Sequence, residues 1–350
     1  MRVLFALSFV FVLLVGCSEP TEETVEPEEE TRAKMKVIAE NLKVPWEIQR
    51  VDGTFYISER TGSIVIVKDG VQARKAVNFE KNISNQSEAG LLGIAIPSNF
   101  AEKNVAYAYY SYQENGSYFQ RVIKMKETDA SWVETEILLD EIPGGEFHQG
   151  GRIAIGPDQK LYITTGDATN EKSAQDLNSL AGKIVRMNMD GSIPTDNPFD
   201  NSYVFTYGHR NPQGLSWDEN NSLYATEHGS SAFDEINKIE KGQNYGWPVI
   251  RGDESKKGMT EPIVHSGKST WAPSGMAYFK GHFYFASLRG EGVRRFNPDT
   301  EQVELIMDGI GRVRDVFAAE NGIYFITNNT DGRGNAAEND DKLIFVPKGE

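Results

Sequence analysis

Three short stretches between residues 205 and 248 combine ionisable side chains with glycine, proline and asparagine. They are Tyr207-Gly208-His209-Arg210-Asn211-Pro212, Glu227-His228-Gly229-Ser230 and Asp234-Glu235. Glycine and proline interrupt regular strand pairing, and a charge resists burial without a partner. We therefore expect these stretches to be loops of a binding or catalytic site, because such groups concentrate in loops that a rigid scaffold holds in place.

Arg312 and Arg314 are separated by a single residue in a segment with β-strand character. Side chains at positions i and i+2 of a strand point to the same face, so the two guanidinium groups are expected side by side, with Asp315 pointing the other way. Such a pair is costly without an anion between the charges. Two interpretations stay open: a solvated pair on an outer strand, or a clamp for a multiply charged ligand with Arg289 and Arg210 as further members.

His148 lies in a loop-like sequence, Glu146-Phe147-His148-Gln149-Gly150, before a predicted strand. An imidazole ring can accept a proton near neutral pH, so His148 is a candidate general base, with a structural role as the alternative. No serine or cysteine nucleophile is indicated beside it. His209 is followed by a proline turn and is predicted to brace its loop through hydrogen bonds.

A metal site has one plausible form in this sequence. Zinc is weakly supported, because the histidines lack the usual ligand spacing and the chain has a single cysteine. The Gly, Ser and Asp content of residues 229–234 favours oxygen ligation of calcium instead. Residues 328–334 resemble a calcium loop only faintly and are predicted to be a plain turn.

The elements that must position these groups are short β-strands. One phrase, a polar turn followed by aromatic and β-branched residues, occurs six times, at residues 53–58, 104–109, 160–164, 222–226, 282–286 and 322–326. Spacings of this order are typical of a four-stranded sheet repeated around an axis. We predict an all-β fold, a six-bladed β-propeller of four-stranded antiparallel sheets, since a sandwich or barrel would be overfilled by so many strands. Equivalent strand ends would then converge on one rim.

The N-terminal residues predict export. Residues 1–16 have the pattern of a lipoprotein signal peptide, too short to span a bilayer, and Cys17 is the expected lipidation site. Residues 17–34 are predicted to be an acidic flexible tether and residues 35–350 the propeller domain. The formal net charge of −15 makes nucleic acid an unlikely partner, so we expect an extracytoplasmic protein that meets the membrane only through its lipid. One cysteine excludes a disulfide within the chain.

Taken together, the motifs resemble the soluble quinoprotein sugar dehydrogenases, the family of glucose and aldose sugar dehydrogenases that depend on pyrroloquinoline quinone (PQQ). The resemblance covers nearly the whole of the predicted propeller domain. The matching segments, in the family's order, are Val44-Pro45-Trp46, Gly90-Leu91-Leu92-Gly93, His148-Gln149-Gly150-Gly151-Arg152, Leu180-Ala181-Gly182-Lys183-Ile184, Tyr207-Gly208-His209-Arg210-Asn211, Asp234-Glu235-Ile236-Asn237, Asn244-Tyr245-Gly246-Trp247-Pro248, Leu288-Arg289-Gly290 and Arg312-Val313-Arg314-Asp315-Val316.

The resemblance implies roles for individual residues. It makes His148 the general base that takes the proton of the anomeric hydroxyl of a sugar, and Arg210 the residue that polarises the quinone carbonyl, with a lactone as product. The positions that match the family's PQQ contacts are Arg210, Asn211, Asp234, Thr270, Arg289, Arg312 and Arg314. Gly229 and Ser230 match the carbonyl donors to Ca²⁺. The electron acceptor is unidentified.

Three positions depart from the glucose-oxidising members of the family. Glu88 and His228 each stand where those members have a glutamine, and Phe147 stands where they have an aspartate. Glu88, Phe147 and His148 are therefore the expected substrate residues, and the preferred sugar stays open. Two alternatives to the dehydrogenase remain: a non-catalytic propeller lipoprotein that binds carbohydrate, and a calcium-dependent hydrolase of lactones, which would need acidic side chains converging on the metal.

Overall fold

A computed structural model describes residues 35–347, and in this range the protein is almost entirely β-structure. The predicted signal peptide, Cys17 and tether lie outside the described residues. The two helical segments in the described range are short: α1 (Phe100–Lys103) and a 3₁₀ turn at Glu171–Gln175. No helix within residues 35–347 is long and apolar enough to cross a membrane.

The same range contains 24 strands, nearly all of them short. In chain order they are β1 (Lys36–Ala39), β2 (Pro45–Val51), β3 (Thr54–Glu59), β4 (Ser63–Lys68), β5 (Val71–Asn78), β6 (Leu91–Ala95), β7 (Ala106–Glu114), β8 (Ser117–Glu127), β9 (Trp132–Pro143), β10 (Ile153–Ile155), β11 (Lys160–Thr165), β12 (Lys183–Asn188), β13 (Val204–Tyr207), β14 (Pro212–Trp217), β15 (Leu223–Glu227), β16 (Glu235–Ile239), β17 (Val264–His265), β18 (Pro273–Phe279), β19 (His282–Ser287), β20 (Gly292–Asn297), β21 (Gln302–Met307), β22 (Val313–Ala319), β23 (Gly322–Thr327) and β24 (Leu343–Pro347).

The strands form four four-stranded sheets and one eight-stranded sheet. Three of the small sheets use consecutive strands, β10 to β13, β14 to β17 and β18 to β21, whereas the fourth has the order β1-β24-β23-β22. The large sheet has two antiparallel halves, β2 to β5 and β6 to β9. These halves are joined only where β5 runs parallel to β9, at Val77 with Trp132 and Asn78 with Val133. The prediction of four-stranded antiparallel sheets is thus confirmed for four sheets and for each half of the fifth.

Each copy of the repeated sequence pattern lies in or overlaps the second strand of a sheet or half-sheet, counting from β2, β6, β10, β14, β18 or β22. These second strands are β3, β7, β11, β15, β19 and β23. Most of these strands are buried on both faces, which explains why they read as continuous aromatic and β-branched runs rather than as alternating ones. Neighbouring sheets share their core. For example, Tyr107 and Tyr109 of β7 pack in one cluster with Leu161 and Ile163 of β11.

The first strands of most neighbouring sheets contact one another, and the sheets that begin with β10 and β14 meet through β11 and β14. β2 contacts β6, β6 contacts β10, β14 contacts β18, and β18 contacts β22, which returns to β2. In an antiparallel sheet the start of the first strand and the end of the second strand lie at the same end of the sheet. The loops that precede each first strand and follow each second strand therefore meet, and these loops carry the predicted site residues.

Candidate functional site

Two adjoining cavities lie among these loops, at the end of the molecule where they meet. The inner chamber has a volume of about 110 Å³ and is lined by Trp46, Arg60, Ser87, Glu88, Gln149, Gly150, Gln213, His228, Ala272, Leu288, Arg289, Arg312, Arg314, Asp331 and Arg333. The outer chamber, about 220 Å³, is lined by Glu88, Phe147, His148, Arg210, Asn211, His228, Gly229, Ser230, Ser231, Asp234, Thr270, Ala272, Arg289 and Arg333. Five residues line both, so the two chambers are contiguous: Glu88, His228, Ala272, Arg289 and Arg333.

The inner chamber has a surplus of positive charge. Five arginines and two carboxylates belong to its lining, which gives a net formal charge of +3. Burial lowers the pKa of His228 to about 4, so this ring adds no charge at neutral pH. The side chain of Arg289 is exposed and forms no hydrogen bond or ion pair with residues 35–347. Of the five arginines only Arg312 and Arg314 are buried, but a surplus of this kind around one cavity is stabilised by an anion with several carboxylates.

Arg312 and Arg314 do lie close together, but the route differs from the predicted one. β22 begins at Val313 and its register shifts between Val313 and Asp315, so the two arginines do not share a regular strand face. Instead, both guanidiniums reach Asp331: Arg312 Nη2 is 2.6 Å from Asp331 Oδ2 and Arg314 Nη2 is 4.0 Å from it. The anion between them in this structure is thus a carboxylate of the same chain.

Arg314 is held by neutral partners as well. Its Nη1 donates to Gln213 Oε1 at 2.9 Å, and its Nη2 donates to Asn328 Oδ1 at 3.0 Å. Burial lowers its pKa to about 9, against the opposing effect of Asp331, so the guanidinium is still largely charged at neutral pH. The surroundings fix the orientation of Arg314 but leave its charge only partly compensated.

His148 is oriented by partners on both ring nitrogens. Arg210 Nη2 lies 2.9 Å from Nε2, and Asp167 Oδ1 lies 2.7 Å from Nδ1. A guanidinium can only donate, so Nε2 must accept, and Nδ1 must carry the hydrogen that is donated to Asp167. The imidazole is therefore the neutral tautomer whose lone pair, on Nε2, lies beside the outer chamber. This is the protonation state that a general base needs.

Asp167 contacts the candidate base, a partnership that its predicted place at the rim did not indicate. It follows β11, its side chain is fully buried, and its second oxygen accepts a hydrogen bond of 2.9 Å from Trp247 Nε1. The Gly166-Asp167 pair directly after a strand was the available signal. Its pairing with His148 could not be inferred, because the two residues lie in different loops.

Arg210 also contacts the predicted calcium loop. Its Nη1 donates to the carbonyl oxygen of Gly229 at 2.6 Å and to that of His228 at 3.2 Å. The carbonyl oxygens of Gly229 and His228 therefore already point toward a positive charge. Carbonyl oxygens are also the kind of ligand that a hard metal ion needs. Ser230 lines the same chamber. Within residues 35–347 there is no cluster of three or more His, Cys, Asp or Glu side chains placed to hold a metal.

Two buried nitrogen atoms in the lining lack partners. Arg210 Nε and His228 Nε2 form no hydrogen bond with the described residues. Buried polar groups are normally paired, so unpaired ones in a cavity wall indicate a missing ligand. Together with the arginine surplus, they fit a polar, polyanionic molecule that spans both chambers.

Asp234 and Thr270 lie in the outer chamber wall, where Asp234 organises the surrounding loops. The carboxylate of Asp234 accepts hydrogen bonds from the Gly229 amide, from Thr270 Oγ1 at 2.8 Å, and from the amides of Trp271 and Ala272. Asn211 has a similar task, since its Oδ1 accepts from the Gly150 amide at 2.9 Å. The hydrogen bond from its amide to Asp234 therefore fixes the position of Gly229.

His209 braces its loop, as the sequence predicted. Its buried ring contacts Glu227 Oε2 at 2.8 Å and Thr206 Oγ1 at 2.9 Å, and it stacks on Tyr245. Because Glu227 also accepts a hydrogen bond from the Arg210 amide, this network fixes the backbone that carries Arg210.

The turn at residues 328–334 has a larger role than predicted. It is a turn, but it places Asp331 in the inner chamber and Arg333 between the two chambers. Every predicted catalytic, cofactor, substrate and metal residue lines one of the two chambers. Arg60 and Asp167 are among the polar residues at strand ends that the sequence places at the rim, whereas Gln213, Asp331 and Arg333 were not predicted to take part in the site.

Comparison with known proteins identifies relatives of this arrangement. Residues 42–336 match the family model described as Glucose / Sorbosone dehydrogenase. The structure of the PQQ-bound form of aldose sugar dehydrogenase from Streptomyces coelicolor superposes with a TM-score of 0.83 and 34% sequence identity, covering 89% of this chain and 97% of that one.

Two further relatives are similar in sequence. Quinoprotein glucose dehydrogenase B of Acinetobacter calcoaceticus is 34% identical over 71% of this chain, a match that spans 60% of its own length. Aldose sugar dehydrogenase YliI of Escherichia coli is 26% identical over 85% of this chain and 91% of its own.

Proposed function

The chain belongs to the Glucose / Sorbosone dehydrogenase family, and from this premise we propose that it is a PQQ-dependent oxidoreductase that oxidises the anomeric carbon of aldose sugars to lactones. The observation that carries the proposal is the direct junction between the arginine-rich inner chamber and the outer chamber that contains His148. A polyanionic redox molecule and a sugar would meet at that junction.

The residues present fit the cofactor. PQQ has three carboxylates, and the surplus of three positive charges in the inner chamber would balance them. Arg289, Arg312 and Arg314 would hold the carboxylates, and Arg210 and Asn211 would lie at the quinone end. When bound, the quinone supplies the acceptor for the hydride that leaves the anomeric carbon.

His148 would remove the proton of the anomeric hydroxyl. As the hydride leaves the carbon, the proton goes to Nε2 and the carbon–oxygen single bond becomes the carbonyl of the lactone. Asp167 would stabilise the resulting imidazolium through the 2.7 Å contact with Nδ1. Arg210 must release Nε2 before this step, since its guanidinium contacts that atom in the present structure.

Calcium is the cation that we propose for the carbonyls of Gly229 and Ser230. The support is the contact of Gly229 with the Arg210 guanidinium, together with the oxygen-only character of the donors. Asp234 would hold the loop in place for the metal through the Gly229 amide.

We also propose that the five sheets form a six-bladed propeller. In this reading the halves of the eight-stranded sheet are two blades, because only two residue pairs join them. The return of β22 to β2 and the pairing of β1 with β24 support closure of the ring. Export and a lipid anchor at Cys17 stay proposals from sequence, as do the unidentified electron acceptor and the absence of a nucleic acid partner.

The test is to titrate purified apoprotein with PQQ at several calcium concentrations and to follow reduction of a redox dye by aldoses. We expect saturable quinone uptake and sugar-dependent dye reduction only when quinone and calcium are both present. Absence of quinone uptake would refute the enzyme and leave the non-catalytic carbohydrate-binding propeller. Cleavage of a lactone without any cofactor would favour the hydrolase.

A further inference from the structure

Arg333 lies at the boundary of the two chambers, and in the function proposed above it contributes only to the net charge of the inner chamber. Its side chain is 49% exposed, and it lines both cavities. Its Nη1 donates to Glu88 Oε1 at 2.8 Å, across a sequence separation of 245 residues. Its guanidinium carbon also lies 5.8 Å from the ring centroid of Phe147. Arg333 therefore contacts two of the three residues expected to meet the sugar.

Glu88 connects this pair to the proposed base. Its other oxygen, Oε2, accepts a hydrogen bond of 3.0 Å from the backbone amide of His148. Burial raises the pKa of Glu88, but the hydrogen bond and charge of Arg333 outweigh burial and lower the pKa overall. Glu88 is thus ionised at neutral pH, and the charges of Glu88 and Arg333 compensate each other.

The backbone of Arg333 is also fixed. Its amide donates to Asp331 Oδ1 at 2.9 Å, while Asp331 Oδ2 is held by Arg312. The guanidinium is therefore presented at a defined place, and most of its five N–H groups stay available to a ligand. Each oxygen of Glu88 likewise accepts one hydrogen bond here and has a second lone pair.

We propose that Glu88 and Arg333 form a charge-compensated pair that selects neutral aldoses and rejects aldoses bearing a carboxylate, with Arg333 as a specificity-determining residue. The inference rests on the proposed function for the identity of the outer chamber as the sugar site. A neutral vicinal diol can donate to Glu88 and accept from Arg333 while the ion pair stays intact. A sugar carboxylate would have to compete with Glu88 for the same guanidinium and would lie beside a like charge.

The exposed ring of Phe147 adds an apolar surface next to the pair. It is 37% exposed although it is a large apolar side chain. Such a ring can pack against the C–H face of a sugar ring, but it cannot accept a hydrogen bond from a hydroxyl. Polar recognition next to this ring then falls to Glu88 and Arg333. Arg210 and Arg289 line the same chamber, and because all variants below keep them, a change between variants reports the charge of the pair.

The experiment compares glucose with glucuronate, which differ by a carboxylate in place of a hydroxymethyl group. Binding to the full folded chain is measured by ligand-observed NMR without turnover, and the ratio of the two affinities is taken for each variant. Glu88→Gln keeps size and hydrogen bonding but frees Arg333, so we expect the ratio to shift about tenfold toward glucuronate, equivalent to about 1.4 kcal/mol. Arg333→Gln leaves Glu88 uncompensated and should shift the ratio the other way.

The double variant Glu88→Gln with Arg333→Gln is neutral again and should return the ratio to within about threefold of the original, a difference below 1 kcal/mol. The matched control is Arg295→Gln, which removes the arginine of the ion pair with Glu304 on an outer strand and should leave the ratio unchanged. An unchanged ratio in Glu88→Gln, or shifts of the same sign in both single variants, would overturn the proposal.

Failure of the proposed function is seen separately. Quinone uptake and dye reduction test the dehydrogenase, whereas the affinity ratio is measured on unloaded protein. A protein that shows the opposed shifts but takes up no quinone keeps the specificity pair and loses the enzyme. A protein that oxidises aldoses with equal ratios in all variants keeps the enzyme and loses the pair.

Discussion

Two clusters of arginines and carboxylates lie close together in the protein, and only one of them has surplus positive charge. The inner chamber has five arginines against two carboxylates. In the second, here termed the channel cluster, Arg152 lies between Glu47 and Asp315, with Nη1 3.2 Å from an oxygen of each. All three side chains of the channel cluster are at most 5% exposed.

The channel cluster neutralises itself. Burial, and the neighbouring charge of Asp315, raise the pKa of Glu47 to about 8 against the effect of Arg152. One carboxylate is then mainly protonated at neutral pH, and a single negative charge remains opposite Arg152. The comparison shows that this protein cancels buried charge where no ligand is proposed, and leaves it uncancelled where the proposed cofactor would bring three carboxylates.

Arg152 of the channel cluster and Arg314 of the inner chamber contact the same two residues, Trp46 and Gln213, so they can be compared directly by substitution. The guanidinium carbons of Arg152 and Arg314 lie 4.5 Å and 5.7 Å from the ring centroid of Trp46. Gln213 accepts a hydrogen bond from both arginines, through its backbone carbonyl from Arg152 and through Oε1 from Arg314. Because the channel cluster neutralises its own charge, we expect substitutions there to lower the free energy of unfolding. Substitutions of the chamber arginines should instead lower the affinity for a bound anion.

The largest effect is expected for His148→Ala. Loss of the base should lower kcat for aldose oxidation by about 10²- to 10⁴-fold, because no other group is placed to take the proton. Quinone affinity should stay within a few-fold of the original, since the proposed carboxylate contacts are elsewhere. Both quantities are measured on the same preparation, with His282→Ala as the control. Retained turnover would contradict the assignment of the base.

The next effect is expected for Arg152→Met in the channel cluster. Removing the cation leaves two buried carboxyl groups without their partner, which typically costs about 3–5 kcal/mol of unfolding free energy. Urea denaturation gives the value. Adding Asp315→Asn should recover part of the loss, because the remaining buried charge is removed with it. A single variant as stable as the original protein would show that the cluster is unimportant for folding.

Arg314→Gln tests the other side of the comparison. We expect quinone affinity to fall about 10- to 100-fold, equivalent to about 1.4–2.8 kcal/mol, because one charged contact to a carboxylate is lost. The unfolding free energy should change by less than about 1 kcal/mol, because the substitution also removes an incompletely compensated buried charge. Calorimetric titration with PQQ measures the affinity. Strong destabilisation with unchanged affinity would reverse the roles of the two clusters.

The last prediction concerns the pH dependence of stability, where the effect of a single pH unit is smaller than the effects above. A raised carboxyl pKa means that the folded state holds a proton which the unfolded state releases above its ordinary pKa of 4.5. Stability should therefore fall as pH rises from about 5 to about 8, by at most about 1.4 kcal/mol per pH unit from this group. Glu47→Gln should flatten that part of the curve. Other buried acids, such as Glu235, are present in both the original protein and the Glu47→Gln variant. If the unfolding free energies of the two proteins change with pH in parallel, the protonated state of Glu47 is refuted.

The repeat and the shared rim could be predicted from sequence because they depend on local patterns. The phrase at residues 160–164, for example, has the aromatic and β-branched residues of a strand buried on both faces, and β11 is such a strand. The same logic placed His148, Arg210 and Arg289 at one edge of the sheets. Arg210 and Arg289 lie within two residues of a strand end, and His148 lies in the loop between β9 and β10.

The partners within the site could not be predicted, because they depend on how distant loops meet. Arg314 binds Gln213 across 101 residues, and Arg333 binds Glu88 across 245. The register shift in β22 also changes which way Arg314 points, and nothing in the local sequence marks it. For the same reason residues 328–334 looked like a plain turn, although Asp331 and Arg333 enter the chambers.

The pairing of β1 with β24 has a consequence for the order in which the protein can be assembled. The first described strand completes its sheet only against residues 343–347, and that sheet carries Arg312, Arg314, Asp331 and Arg333. The ribosome releases residues 343–347 after the strands of every other sheet, so the sheet that carries this part of the arginine cradle cannot be complete before they emerge. We therefore expect any quinone to be taken up only by a chain in which β1 and β24 have already paired.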